Sequence, residues 1–198
     1  CQVSVNSCQV SSSSVKFVVD SLNCLTQQNE EKKRFVDLGG VSLLIESLHR
    51  YCNDEGYVSS ALRIFLMIVE EVTGVYDDYV SCIATILSSG ALLETSFANC
   101  LEILIKLCSL RDDGESYTIV TVRSGIISIV TKRMHCMKRS HFLVLAFTEF
   151  INITISYSKA MKYYQDAGGM DMIIDMIFPY RSDPLIRSLG GSIVGYLS

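Results

Sequence analysis

The sequence predicts an all-α protein built from repeated helical units, and three observations support that prediction. The 198 residues include only two prolines, Pro179 and Pro184, so most of the chain lacks the strongest helix breaker. Apolar residues make up 49% of the chain and charged residues 19%, which is typical of a folded chain with much buried surface. The third observation is a recurring segment: an acidic residue, one spacer, two glycines and then a helical apolar pattern.

The recurring segment gives the approximate length of one unit. It begins at Asp37 and again at Asp166, so that Gly40 and Gly169 lie 129 positions apart, which is three steps of 43. Tyr79 and Gly125 take the two intermediate slots, and apolar residues follow every slot at the offsets +1, +4 and +5. The steps between slots are 39, 46 and 44 residues. Such a period predicts a helical solenoid, and an irregular helical bundle is the alternative.

The apolar periodicity orders the predicted elements along the chain. Residues 1–14 are rich in serine and predict a loop or tail, and the helical pattern starts at Val15. Each unit then contains a long helix, a short turn or helix, a glycine slot and a second helix. The predicted units span residues 15–50, 57–90, 94–135, 140–178 and 183–198, the last of which is incomplete.

Three short segments refine this order. Tyr117–Val122 has the composition of a strand, but the slot at Gly125 places it within a helical unit, so we predict a short helix there. Asp54 lies in a loop with helix-capping potential. Pro184 is well placed to open the last helix, because proline is favoured in the first turn.

The net charge and the cysteine content limit the kinds of binding partner and the cellular compartment that the sequence predicts. A net charge of −4 gives no general reason to bind nucleic acid or an anionic membrane. The apolar run from His141 to Tyr157 falls short of the roughly 20 residues of a spanning helix and predicts a buried helix. The eight cysteines have no CxxC spacing. We interpret Cys24, Cys82, Cys100 and Cys108 as buried reduced thiols, which predicts a reducing, cytoplasmic location.

Several segments together resemble an armadillo repeat. Leu22-Asn23-Cys24-Leu25-Thr26 is followed by Asn29-Glu30-Glu31-Lys32 and by Gly39-Gly40-Val41. In the armadillo family a long third helix ends in a Leu-Asn-Leu type segment, a polar loop follows, and Gly-Gly-Ile/Val opens the next repeat. The likeness covers residues 15–198, with a second asparagine segment at Phe150-Ile151-Asn152-Ile153-Thr154. Leu66-Met67-Ile68 and Leu104-Ile105-Lys106 depart from the family pattern.

The resemblance implies a right-handed superhelix of about four repeats, incomplete at its ends, whose third helices line a concave groove. That groove would hold an extended or helical segment of a protein partner. The resemblance places the following residues on the groove face: Lys16, Asp20, Asn23, Gln27, Arg63, Met67, Glu70, Asn99, Glu102, Lys106, Glu149, Asn152 and Ser156. An ordinary solvated helix face is the alternative for each of them.

Two departures from the family narrow the kind of partner. Nuclear-import adaptors place a tryptophan one turn before each groove asparagine, whereas Val19 and Thr148 hold those places here. Catenin-type grooves are rich in Lys and Arg, whereas the groove residues of this chain include both acidic and basic side chains. We therefore expect neither the import-adaptor binding mode nor the catenin binding mode here.

A basic cluster within residues 132–141 is a second candidate surface, for an acidic partner or phosphates. We expect it to form a solvated loop between two helices. Histidine and cysteine lie within it, but no third and fourth ligand follow at a suitable spacing, so no metal site or cofactor is predicted. The basic residues of the cluster are Lys132, Arg133, Lys138 and Arg139.

The sequence favours a non-enzymatic interaction scaffold over an enzyme. No nucleophile and base share a motif, and the adjacent acids Glu70-Glu71 and Asp77-Asp78 lie at predicted helix ends, where acids suit the N-terminal dipole. The leading prediction is a scaffold or adaptor that binds a partner segment in the groove. Two alternatives stay open: a regulatory domain of a cytoskeletal or ciliary protein, such as a formin-like GTPase-binding region, and a helical-repeat nucleic-acid binder acting through residues 132–141.

Overall fold

The computed structural model describes residues 29–71, 76–89, 92–110, 117–137 and 140–197, together with positions 19 and 22. Within these residues the chain forms eleven α-helices and two 3-10 turns, and it contains no strand. The all-α prediction is therefore confirmed. It holds also for Tyr117–Arg123, a helix whose composition alone indicates a strand. The tail predicted for residues 1–14 lies outside the described residues.

The helices are numbered here in chain order, and 3-10 turns at Val69–Glu71 and Phe178–Tyr180 follow two of them. The helices are α1 (Asn29–Asp37), α2 (Gly40–Arg50), α3 (Glu55–Ile68), α4 (Tyr76–Ser88), α5 (Glu94–Ser109), α6 (Tyr117–Arg123), α7 (Ile126–Cys136), α8 (His141–Ile155), α9 (Ser158–Asp166), α10 (Gly169–Ile177) and α11 (Pro184–Leu197).

The helices contact one another in a regular order. The long helices α3, α5, α8 and α11 form one row in which each touches the next, and α2, α4, α7 and α10 form a second row in the same way. The short helices α1, α6 and α9 each precede and contact a second-row helix. Before α4, residues 72–75 lie outside the described chain. The right-handed armadillo superhelix stays a prediction.

Left-handed glycines start three of the second-row helices. Gly39, Gly125 and Gly168 have φ angles of 77°, 77° and 69°, a region that residues with a Cβ atom resist. They directly precede α2, α7 and α10. These glycines turn the chain from a short helix into a second-row helix, as the repeated Gly-Gly segment predicted.

The second glycine of each Gly-Gly pair has a separate role in packing. A Cβ atom on Gly40 would lie 2.5 Å from the ring of Phe35. A Cβ atom on Gly169 would lie 2.9 Å from Cγ2 of Thr131, which belongs to the preceding second-row helix α7. Only a residue without a side chain permits these close approaches.

The turn glycines correct the slots assigned from the sequence. Gly125 shares its left-handed φ with Gly39 and Gly168, so it corresponds to these residues and not to the second glycine of each pair. Gly125 and Gly168 lie 43 positions apart, and Gly39 and Gly125 lie 86 apart, which is twice that spacing. Tyr79 is not at a helix start, because α4 begins three residues before it. The three turn glycines therefore fit a spacing of 43 residues, whereas α4 begins only 36 residues after α2.

One continuous apolar core runs through both rows of helices, from Val41 in α2 to Ile193 in α11. The helix α8 buries most of its length, which confirms the prediction of a buried helix from the apolar run at residues 141–157. Among the described cysteines, Cys82, Cys100 and Cys108 are buried free thiols, as predicted. Burial raises the pKa of Cys82 to about 12 and that of Cys100 well above its usual value, so both thiols stay protonated at neutral pH.

Polar side chains join the N-terminal ends of successive long helices. The Ser96 hydroxyl of α5 donates to the Glu55 carboxylate of α3 at 2.6 Å. The Ser140 hydroxyl at the start of α8 donates to the Glu94 carboxylate of α5. At the next step, Nε2 of His141 lies 2.9 Å from Oδ2 of Asp183, which precedes α11. Each of the three steps in the row of long helices thus has a side-chain contact at the same end of the helices.

Candidate binding groove

The described groove residues predicted from the sequence all keep accessible surface. Glu70 lies in the 3-10 turn after α3, and the other eight lie on or directly after the long helices. Lys16, Asp20, Asn23 and Gln27 lie outside the described residues. The exposed members are Arg63, Glu70, Glu102, Glu149 and Ser156, and the half-buried members are Met67, Asn99, Lys106 and Asn152.

Three of these residues meet at one pocket between α5 and α8. Glu102 and Lys106 from α5 and Glu149 from α8 line a pocket of about 270 Å³. We call it the α5–α8 pocket. Its remaining lining is apolar and consists of Ala98, Ile105, Phe142, Leu145 and Ala146.

Helix geometry brings these side chains to the same place. Glu102 and Lys106 are four residues apart on α5, and Phe142, Leu145 and Glu149 follow one another at intervals of three and four on α8. Both spacings place side chains on one face of a helix. Because α5 and α8 pack against each other, the two faces form adjacent walls.

The most exposed apolar side chain of the pocket is Phe142, which is 56% accessible. It lies in the first turn of α8, whose start is fixed by the Ser140 hydroxyl accepting a hydrogen bond from the amide of Leu143. The pocket therefore has an aromatic side chain that is held on a capped helix and accessible to a partner.

The charges around the pocket are unbalanced. The ammonium of Lys106 donates to the Glu70 carboxylate at 2.9 Å, and this hydrogen bond, together with the Lys106 charge, holds the pKa of Glu70 below its usual value. Within the described chain, Glu102 and Glu149 form no salt bridge. The pocket lining thus contains two carboxylates without a salt bridge and one ammonium that is paired with Glu70, so its local net charge is negative.

Phe142 and Leu145, which supply much of the apolar lining, are not among the groove residues predicted from the sequence. The 43-residue period contains a signal for them: Phe142 follows Asn99, Leu145 follows Glu102 and Glu149 follows Lys106 at that spacing. An apolar residue whose equivalent 43 positions earlier is polar indicates an apolar side chain that is accessible to solvent. Conversely, Arg63, Met67, Asn99 and Asn152 do not line this pocket.

The predicted basic loop is in part a helix, and this prediction was wrong for its first half. Lys132 and Arg133 lie near the end of α7, which continues to Cys136 because no glycine or proline interrupts it. Basic residues in a last turn also suit the helix dipole. Lys132 is exposed, whereas Nε of Arg133 is buried without a hydrogen-bond partner among the described residues. Lys138 and Arg139 lie outside the described residues.

His141, at the edge of the basic cluster, pairs with Asp183 in the loop before α11. In the described segments, His, Cys, Asp and Glu side chains form no group of three or more that would suit a metal ion. Among the same residues, no helix has both the length and the apolar character needed to cross a membrane.

A second apolar pocket, of about 340 Å³, lies beside α2. Phe35, Leu43 and Tyr57 contribute to it, together with Val19 and Leu22. Val19 and Leu22 are the only two positions that the structure describes before residue 29. The α5–α8 pocket lies between two fully described helices and is lined by three of the residues predicted from the sequence, and it is therefore the candidate binding site.

We compared the chain with protein-family models, with curated proteins and with solved structures, and none of the three comparisons gave a match.

Proposed function

We propose that this chain is a non-enzymatic interaction scaffold that binds a segment of a protein partner at the α5–α8 pocket. The observation that supports the proposal most directly is the exposure of Phe142 beside a pocket lined by Ala98, Ile105 and Leu145. Burial of an exposed aromatic side chain is favourable at roughly 25 cal/mol per Å² of apolar surface. Aromatic side chains set in pockets are frequent anchors of protein interfaces.

The proposal includes an armadillo-like arrangement of the helices. Two rows of helices in regular contact and a 43-residue spacing of the turn glycines support it. In such an array the long helices line one extended surface, which suits a partner segment that runs across several units. We propose that the groove is the concave face of this right-handed array and that the α5–α8 pocket lies on that face.

A pair of matched substitutions tests the proposal. Phe142→Ser removes the exposed ring at the pocket, and Leu93→Ser removes a side chain of similar exposure, 60%, that does not line the pocket. Partners would be captured from the native source with cross-linking, using each variant and the unaltered chain. We expect Phe142→Ser to reduce capture of the cross-linked partner at least tenfold and Leu93→Ser to leave it unchanged, because a buried aromatic anchor contributes about 2 kcal/mol or more.

Circular dichroism separates loss of binding from loss of folding in this experiment. Both positions are exposed, so both variants should keep the helical spectrum of the unaltered chain. Charge reversal at Glu102 should weaken capture in the same way. Equal capture by both variants, or equal loss of capture and helicity, would contradict the proposed site.

A further inference from the structure

We infer that the segment bound at the α5–α8 pocket carries one large apolar side chain with Lys or Arg on both sides of it. This inference rests on the proposed function and names the chemistry of its partner. It follows from the two kinds of surface that the pocket combines: an apolar lining around Phe142 and an excess of carboxylates around that lining.

The apolar part of the pocket fits one anchoring side chain. The small side chains of Ala98 and Ala146 line the pocket together with the larger side chains of Phe142 and Leu145. They enclose a volume of about 270 Å³. A pocket of this size accepts the side chain of a Leu, Met or Phe residue, whereas a whole small-molecule ligand usually fills a volume of several hundred Å³. The anchor would also cover part of the exposed surface of Phe142.

The charged part of the pocket selects the neighbours of that anchor. Glu102 belongs to α5 and Glu149 to α8, so the two carboxylates come from both helices that form the pocket. Both are exposed, and within the described chain neither has a cationic partner. A bound segment with acidic neighbours would bring like charges together, which costs affinity, whereas Lys or Arg would gain from both carboxylates.

Lys106 does not reverse this preference. Its ammonium is bound to Glu70 at 2.9 Å, so the charge of Lys106 is already compensated within the groove. An acidic ligand would have to compete with Glu70 for it. Complementarity of charge therefore favours a basic segment over an acidic one.

The test uses short labelled peptides as defined probes and the full 198-residue chain. One peptide has a central Leu flanked by Lys on each side, the second has Glu in place of Lys, and the third has Lys flanks with Ser in place of Leu. Fluorescence anisotropy at low ionic strength measures their affinities. We expect the first peptide to bind about tenfold more tightly than either of the others, since two exposed ion pairs and one apolar anchor each contribute modestly.

Charge-reversal variants test whether the preference for Lys-flanked peptides arises at the pocket. In the double variant Glu102→Lys, Glu149→Lys the order of the Lys-flanked and Glu-flanked peptides should invert. The matched control is Asp171→Lys, Asp175→Lys, which makes the same change of net charge at two exposed positions of α10 outside the pocket. The control should keep the original order. Phe142→Ser should weaken both Leu-containing peptides by a similar factor.

Two outcomes distinguish the inference from the proposed function. If Lys-flanked and Glu-flanked peptides bind equally and Phe142→Ser weakens both, the charge preference is refuted and the binding site stands. If the α10 control inverts the order as strongly as the pocket variant does, the preference reflects only the net charge of −4 and the inference is overturned. If no peptide binds in a way that depends on Phe142, and partner capture does not depend on it either, the proposed function fails as well.

Discussion

Gly39, Gly125 and Gly168 adopt a backbone conformation that other residues reach only with strain. At each of these positions an added Cβ atom would meet no atom within 4 Å, so that space is not what requires glycine there. The requirement is the positive φ angle alone. This separates them from Gly40 and Gly169, where neighbouring side chains leave no room.

Gly168 and Gly191 therefore make a matched pair for substitution by alanine. Both have open space for a methyl group, but Gly168 has a φ of 69°, whereas Gly191 lies within the helix α11 without a positive φ. We expect Gly168→Ala to lower the free energy of unfolding by about 1–2 kcal/mol. Gly191→Ala should raise it by up to about 1 kcal/mol, because alanine is the better helix former. Urea denaturation measures both, and a Gly168→Ala variant as stable as the unaltered chain would show that this turn can change its conformation.

At the scale of elements, the start of α11 depends on one carboxylate. Asp183 accepts hydrogen bonds from the amides of Leu185 and Ile186 at 2.8 and 2.9 Å, and it also pairs with His141 of α8. The ring of Tyr180 lies edge-on against His141. The amide of Ile186, and after it the His141 side chain, hold the pKa of Asp183 below its usual value.

The direction of this pKa shift gives a pH dependence. Because the pKa of Asp183 is lower in the folded chain than in the unfolded chain, where it is about 3.9, its stabilising contribution is present above about pH 4. The contribution is lost as the pH falls through the folded value. Asp183→Asn keeps a side-chain acceptor for the helix start but cannot ionise. We therefore expect this variant to lose less stability on acidification than the unaltered chain.

Thermal melting followed by circular dichroism, from neutral pH down to about pH 2, measures the difference. Asp171→Asn is the control, since Asp171 is an exposed acid on α10. It should melt with the same pH dependence as the unaltered chain. If Asp183→Asn does so too, the carboxylate does not contribute through its ionised form.

Most elements were predictable because their signals are local. The start of α11 at Pro184 and the cap that Asp54 provides to α3 follow from residue chemistry within a few positions, and the structure confirms both. Tyr79 was misplaced because apolar spacing alone fits a helix in more than one register. The end of α7 was predicted too early because a run of charged residues suits the last turn of a helix as well as a loop.

The candidate site was only partly predictable, since it depends on packing between elements. Glu102, Lys106 and Glu149 were found as polar residues on helical faces, and the structure brings them to one pocket. Phe142 belongs to a helix that is apolar on most sides, and its own sequence neighbourhood does not distinguish buried positions from exposed ones. The packing of α8 against its neighbours, chiefly α5 and α11, decides which of its apolar side chains stay accessible.

At the scale of the whole molecule, the repeat period shows how each long helix is covered. Phe65 of α3, Cys108 of α5 and Ile151 of α8 follow one another at 43-residue spacing, and all three are buried. Val194 of α11 takes the next place in this series and is 55% exposed. In a stacked array, a helix of one unit buries the facing side of its neighbour. The corresponding face of α11 is accessible because no described helix lies beyond it.

Equivalent positions should therefore differ sharply in their effect on stability. Ile151→Ala removes a fully buried side chain and should lower the free energy of unfolding by about 2–5 kcal/mol. Val194→Ala removes an exposed one and should change the free energy of unfolding by no more than about 0.5 kcal/mol. Urea denaturation of both variants at several protein concentrations makes the comparison. A loss at Val194 as large as that at Ile151, growing with protein concentration, would mean that association between chains covers this face in solution. A large loss independent of concentration would contradict the exposed position of Val194 itself.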